Sequence, residues 1–263
     1  MSHTLEYDGL SVRYGRGGSA HQAVDDVSLV VRPGTVHGLV GESGSGKSTL
    51  AAATVGLVRA TSGAIRLDGT EVTRGTAGRR ARRRIQLIFQ DPHSALDPRM
   101  SIGTSIAEAM RASGRRRSRV ERRQRVRELL ELVDIEPDRY REPPAGFSGG
   151  QRQRITIARA LAAEPDVIIA DEITSALDVS VQGVVLNLLR ELQSELNLTM
   201  LLISHNLAVV RYVCHTVTVL RHGRVVETGD TERTLSDPQD PYTKALLDAV
   251  PVLGERPDWG SVA

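Results

Sequence analysis

The 263-residue chain has a mass of 28.6 kDa, a size that fits one large domain or one domain with an added lobe. It is 40% hydrophobic and 25% charged with a net charge of +2, which excludes a disordered or fibrous chain and gives no sign of a bulk polyanion partner. No apolar run approaches the roughly 18 residues of a membrane span, the start lacks the pattern of a secretory signal, and the single cysteine, Cys214, excludes a disulfide framework, a multi-Cys zinc site or an iron–sulfur cluster built from this chain alone.

Alternating apolar and polar residues predict strands at Leu5 to Tyr14 and Ala23 to Val31, joined hairpin-fashion by a Gly-rich turn around Gly15 to Gly18. Thr35 to Val40 reads as another short strand. A Gly-rich loop follows, and then Ser48 to Val58, whose Ala and Leu content suits a helix. Ile65 to Leu67 and Ile85 to Phe89 add two strands. Helical spacing then takes over: Ser101 to Ala112, Ser118 to Val133 with Val126, Leu129, Leu130 and Val133 opposite a charged face, and Ser148 to about Ala163. Alternation returns as a strand at Val167 to Ala170, a helix at Val179 to Leu196, a strand at Thr199 to Ile203, a short helix after Asn206, and strands at Val217 to Leu220 and Arg224 to Glu227. Strands alternating with helices predict an α/β fold with a mostly parallel sheet. Its core is expected from residues 1–90 and 166–230, a helical lobe at about 91–165 interrupts it, and a helical extension follows from 236 to 263.

Gly41-Glu42-Ser43-Gly44-Ser45-Gly46-Lys47-Ser48 fits G-x-x-x-x-G-K-[ST] and lies between a predicted strand and a predicted helix, as a phosphate loop requires. Its glycines let backbone N–H groups turn toward phosphate oxygens, and the next helix, opening through Thr49, points its positive end at the same anion. Lys47 is suited to reach the β- and γ-phosphates, and Ser48 to ligate Mg²⁺. A flexible Gly/Ser turn is the bland alternative. It leaves unexplained why an Arg-rich chain whose only lysines are Lys47 and Lys244 keeps one here.

Val167 to Ala170 runs into Asp171 and Glu172. Alone this is a solvated strand end. Behind a phosphate loop it reads as a pair in which Asp171 would hold Mg²⁺, directly or through water, and Glu172 would orient and deprotonate the water attacking the γ-phosphate. Phe147-Ser148-Gly149-Gly150-Gln151 opens a helix with two glycines. A plain N-cap explains Ser148. It does not explain Gly149 and Gly150, which weaken a helix unless backbone must approach a ligand.

At this segment the chain resembles the ATPase subunits of ABC transporters, whose signature is LSGGQ. The resemblance covers almost the whole chain and implies a phosphate-loop (RecA-like) nucleoside triphosphatase core with an antiparallel β lobe and an inserted helical lobe, the ATPase domain spanning residues 1–235. It implies that Gln90 is the Q-loop glutamine sensing Mg²⁺ and the attacking water, that Ser175-Ala176-Leu177-Asp178 is the D-loop, and that His205 is the switch histidine touching the γ-phosphate. Tyr14 is then the candidate for stacking on adenine, with Tyr7 as competitor. Ser148, Gly149, Gly150, Gln151 and Asp178 would face the ATP of a partner chain. One departure is Ile173, where the family usually has Pro after the glutamate; altered local backbone is expected rather than lost hydrolysis.

Gln90 to Met100 and the tail segment Asp237 to Leu247, with Pro241-Tyr242-Thr243, resemble oligopeptide and dipeptide importers. That resemblance implies ATP and Mg²⁺ as ligands and a head-to-tail dimer with a second ATPase subunit, a sister chain or a second copy. It further implies two transmembrane permease subunits, a solute-binding protein reached indirectly, and a peripheral place on the cytoplasmic membrane face. No iron–sulfur cluster is expected, since the Cys-rich segment of many such relatives is missing. Alternatives are an ATPase of another importer or exporter class and a soluble relative acting in DNA repair or translation. The latter usually carries long coiled coils or tandem units, which this chain lacks. The Arg-rich stretch Arg115 to Arg127 stays open between a solvated helix face, a surface for acidic headgroups or a membrane subunit, and nucleic-acid binding, which the lack of an aromatic disfavours.

Overall fold

The computed structural model describes residues 3–15, 21–91 and 95–249. The expected turn beyond Gly15, residues 92–94 of the importer-like segment and the end of the tail from 250 lie outside the described residues. Strands β1 (Leu5–Tyr14) and β2 (His21–Val31) pair antiparallel, as the hairpin pattern predicts. Next come β3 (Val36–Val40), α1 (Lys47–Thr54), β4 (Ser62–Leu67), β5 (Thr70–Glu71), α2 (Gly75–Arg82) and β6 (Ile85–Ile88). Helices α3 (Ile102–Ala109), α4 (Arg119–Leu132) and α5 (Gly149–Ala162) follow, then β7 (Val167–Asp171), α6 (Val179–Leu196), β8 (Thr199–Ile203), α7 (Leu207–Val213), β9 (Thr216–Arg221), β10 (Arg224–Asp230), α8 (Thr231–Ser236) and α9 (Pro241–Asp248).

Two sheets result. A four-stranded antiparallel sheet runs β2-β1-β4-β5, and a six-stranded sheet runs β10-β9-β3-β8-β7-β6. In the second, β9, β3, β8, β7 and β6 are parallel and β10 closes one edge antiparallel. Within it β7 from Val167 to Ala170 and β8 from Met200 to Ile203 are apolar without interruption because both faces are covered. Val167 and Ile169 of β7 join Leu201 and Ile203 of β8 under the four-stranded sheet and α1. Ile168, Ala170, Met200 and Leu202 face the helices, in one buried cluster that continues through Ile155 of α5 to Ile106 of α3 and Leu129 of α4. The helical segment therefore shares its core with the sheet, and the strand ends at Asp171 and Ile203 are held from both sides.

Several boundaries have local causes. Helix α1 ends at Thr54, four residues short of the expected Val58, because Gly56 turns left-handed (φ 75°) and the N–H groups of Leu57 and Val58 fold back on the Ala52 carbonyl. Ser118 and Glu121 form a capping box that starts α4. Across the parallel sheet, α7 packs so closely that a Cβ on Gly38 would lie 2.8 Å from Val210 Cγ1 and 3.1 Å from Cys214 Sγ. Cys214 is buried, and burial pushes its thiol well above the ordinary range. Beside Gly38, His37 is buried and bonds Thr216 Oγ1 and Thr218 Oγ1, each at 2.8 Å.

Candidate functional site

The loop from Gly41 to Gly46 leaves the end of β3 and turns into α1. Gly46 has φ 105°, and a Cβ there would lie 2.3 Å from the Ala23 carbonyl oxygen of β2, so only glycine lets the loop pass beneath the antiparallel sheet. Lys47 is 4% exposed. Its Nζ donates to the carbonyls of Gly41 and Glu42 at 2.7 Å each and to Ser45 Oγ at 3.3 Å. Burial lowers its pKa, against the pull of Glu172, Asp171 and Glu42. The ammonium is thus parked on backbone oxygens, next to acidic groups, with no carboxylate locked onto it.

Strand β7 delivers the two carboxylates to the same place. Ser48 Oγ donates to Asp171 Oδ1 at 3.3 Å. Asp171 has its pKa raised, first by burial and further by Glu172, while the Ser48 hydroxyl and Lys47 oppose the rise. A half-buried carboxylate beside a hydroxyl is a hard oxygen pair suited to a divalent cation. Glu172 has φ 47°, in the left-handed region, and its N–H is tied to the Ile203 carbonyl at 3.0 Å. Such a backbone costs of order 1–3 kcal/mol for a residue other than glycine, and strain of this kind gathers where a side chain must be aimed. Gln90 Nε2 donates to Glu172 Oε2 at 2.9 Å and to Ser175 Oγ at 3.2 Å, and His205 Nδ1 lies 3.4 Å from Glu172 Oε1. Ile173, the departure from the family pattern, is buried in the core cluster on the helical side.

A cleft of about 390 Å³ opens here, lined by Tyr14, Ser43, Gly44, Gly46, Lys47, Ser48, Thr49, Gln90 and Glu172, together with His21 and Ala23; Asp171 and His205 lie behind it, in contact with Ser48 and Glu172. Tyr14 is 42% exposed and its hydroxyl is 3.4 Å from Thr49 Oγ1, whereas Tyr7 is buried with its hydroxyl on Thr54. That separates the two aromatic candidates: Tyr14 stands over the loop and Tyr7 belongs to the core. His21 carried no motif in the sequence; only its pairing with Tyr14 across β1 and β2 brings it to the cleft.

The signature-like segment lies elsewhere. Ser148 caps α5 by accepting from the Gln151 N–H at 3.3 Å, and Gln151 Oε1 accepts from the Ser148 N–H at 3.0 Å, a complete capping box. A Cβ on Gly150 would fall 2.3 Å from Val181 Cγ1 of α6, while one on Gly149 would meet only Leu177 Cδ2 at 3.6 Å. Packing inside the chain therefore accounts for Gly150, and Gly149 is the glycine left facing outward. Asp178 sits at the N-cap of α6 without a side-chain cap bond. None of the four residues from Ser148 to Gln151 lines the cleft at Lys47. In the Arg-rich stretch, Arg117 pairs with Glu164, Arg125 with Glu128 and Arg127 with Asp138.

Residues 24–175 match the profile of the family described as "ABC transporter". A Brucella abortus protein named "Putative peptide import ATP-binding protein" is 52% identical over 233 residues, 88% of this chain and 70% of the relative. A Brucella ovis protein of the same description is 49% identical over 249 residues, 94% of this chain and 78% of the relative. Among solved structures, cbiO1 from Clostridium perfringens, part of the ABC transporter complex cbiONQ, superposes with a TM-score of 0.79 at 28% identity, covering 90% of this chain and 92% of that one. A dimeric ATP-binding cassette in a post-hydrolysis state bound to ADP and Pi gives a TM-score of 0.76 at 28% identity, covering 86% and 98%.

Proposed function

The chain belongs to the ABC transporter family as an ATP-binding, ATP-hydrolysing subunit, and from that premise we propose that it energises an importer of the di- and oligopeptide type. The observation that carries the reading is the meeting, at one cleft, of Lys47, Ser48, Gln90, Asp171, Glu172 and His205, drawn from four separate strand ends. The peptide assignment rests on the names of the relatives and on the Pro241-Tyr242-Thr243 tail. An ATPase domain over 1–235, with its core in 1–90 and 166–230 and its helical lobe in 91–165, completes the proposal.

In this reading Gly41 to Thr49 cradle the triphosphate, and Tyr14 stacks on the base. Lys47 leaves the carbonyls of Gly41 and Glu42 for the β- and γ-phosphates, exchanging neutral partners for anionic ones. Ser48, Asp171 and Gln90 would hold Mg²⁺. A Mg²⁺ ion takes few protein ligands and completes its shell with phosphate oxygens and water. When bound, that ion neutralises charge on the phosphate oxygens. Glu172 accepts the proton of the water attacking the γ-phosphate, Gln90 orients the carboxylate, and His205 donates to the γ-phosphate.

Ser148, Gly149, Gly150, Gln151 and Asp178 would meet the ATP on a partner ATPase chain in a head-to-tail dimer. The dimeric post-hydrolysis relative supports that arrangement. Closure with ATP and opening after hydrolysis convert the chemistry into movement through differential affinity for the two states. No helix among the described residues is long and apolar enough to cross a membrane. The transport role therefore calls for two permease subunits that hold the chain at the cytoplasmic membrane face. Extraction of membranes with detergent and purification through this chain tests the proposal: recovery of two polytopic proteins supports it, and recovery with ribosomes or DNA overturns it.

A further inference from the structure

The importer-like tail reaches the phosphate loop. Helix α9 starts at Pro241, with Asp240 Oδ1 capping the Tyr242 N–H at 2.7 Å. Just before it, the N–H groups of Gln239 and Asp240 donate to the two carboxylate oxygens of Glu227 on β10, at 2.9 and 3.2 Å. This anchoring sets the Tyr242 ring under Arg221, whose guanidinium carbon is 4.8 Å from the ring centre. Tyr242 is buried, and its hydroxyl accepts a hydrogen bond from the Glu42 N–H at 3.1 Å.

That N–H belongs to the same peptide unit as the Gly41 carbonyl, which accepts from Lys47 Nζ at 2.7 Å. One peptide plane is thus gripped at both ends, its oxygen by the loop's lysine and its N–H by a tail residue 200 positions away. The Tyr242 bond opposes rotation of the plane, and that rotation would redirect the first turn of the loop; this hold does not depend on Lys47, which turns from the Gly41 carbonyl to phosphate.

We propose that Tyr242 is a positioning residue for nucleotide binding: its hydroxyl holds the Gly41–Glu42 peptide in the orientation that shapes the phosphate loop, and so couples the C-terminal extension to ATP affinity. The proposal rests on Gly41 to Ser48 being the phosphate loop. Tyr242→Phe keeps the ring under Arg221 and removes only the acceptor. Loss of one neutral hydrogen bond corresponds to about a fivefold weaker affinity.

The test compares the full chain with Tyr242→Phe and Lys47→Ala, reading ATP affinity by displacement of a fluorescent nucleotide, together with KM and kcat. Tyr242→Phe is expected to weaken affinity and raise KM about fivefold with kcat held. Hydrogen exchange read by mass spectrometry should show faster exchange in the Gly41 to Gly46 peptide and unchanged protection in β7 and β8; equal loss in both would indicate general loosening and overturn the proposal. Unchanged ATP affinity in Tyr242→Phe while Lys47→Ala abolishes binding also overturns it. Full ATP affinity in Lys47→Ala would instead sink the phosphate-loop reading.

Discussion

Gln90 Nε2 donates to Glu172 Oε2 across 2.9 Å, tying the residue just beyond β6 to the carboxylate just beyond β7. The neighbouring strands are in register, Ile88 beside Ala170, so the bond needs no long reach. With His205 Nδ1 at 3.4 Å from the other oxygen, the carboxylate is oriented from two sides before any nucleotide arrives. Changing Glu172 to Gln keeps the shape and removes the proton acceptor. Turnover should fall at least ~100-fold, and ATP should then hold the chain in a closed dimer, seen as an earlier peak in size-exclusion chromatography. Undiminished phosphate release would count against Glu172 as the base.

Asp171→Asn tests the cation site separately. The amide keeps a hydrogen-bonding partner for Ser48 and loses the charge a cation needs. Binding of ATP without Mg²⁺ should be nearly unchanged, while the gain on adding Mg²⁺ disappears and turnover drops by roughly 100-fold or more. A titration of activity against Mg²⁺ that overlays wild type would refute the assignment.

Gly150→Ala carries a prediction about packing. In an open helix the change would gain about 1 kcal/mol of propensity. Here the new methyl collides with Val181 Cγ1, whose β-branched side chain has little rotamer freedom in α6. A net loss of about 1–3 kcal/mol is expected, measured by urea denaturation, and Val181→Ala should restore most of it. If Gly150→Ala is as stable as wild type, the contact between α5 and α6 is not what demands glycine.

His37 gives the stability a pH dependence. Burial first, and Arg32 second, push its pKa from 6.5 down to about 4. The unfolded chain thus binds a proton below 6.5 that the folded chain refuses until about pH 4. Stability contributed by the neutral ring is complete above the unfolded value and is lost as pH falls toward the folded one, to a total of about 3 kcal/mol. Chemical denaturation followed from about pH 7.5, above that window, down to about pH 4.5, near its lower end, should show this slope, and His37→Gln should flatten it. An equal slope in the variant would place the titration elsewhere.

Much of the fold was legible because its strands and helices carry regular apolar spacing. The observed limits of β1, α6 and β8 coincide with the expected ones. Strand β5 is two residues long and α2 buries only Gly78 and Ala81, so neither leaves a periodic trace. At the cleft, the motifs named Lys47, Ser48, Asp171 and Glu172, the family resemblance named Gln90 and His205, and strand order sets these two against Glu172. What stayed hidden were contacts set by pairing and docking alone: His21 opposite Tyr14, Val181 over Gly150, and Tyr242 on Glu42. Each joins residues that no local pattern connects.

The thiol of Cys214 is 8% exposed beside the glycine of β3, and burial pushes its pKa up, so slow reaction with alkylating and labelling reagents is expected. As the chain's only cysteine, it then leaves little competing reactivity. One cysteine introduced at an exposed position therefore becomes the single addressable point of each copy, and spin-label or fluorophore distances between copies follow opening and closing in the otherwise native sequence.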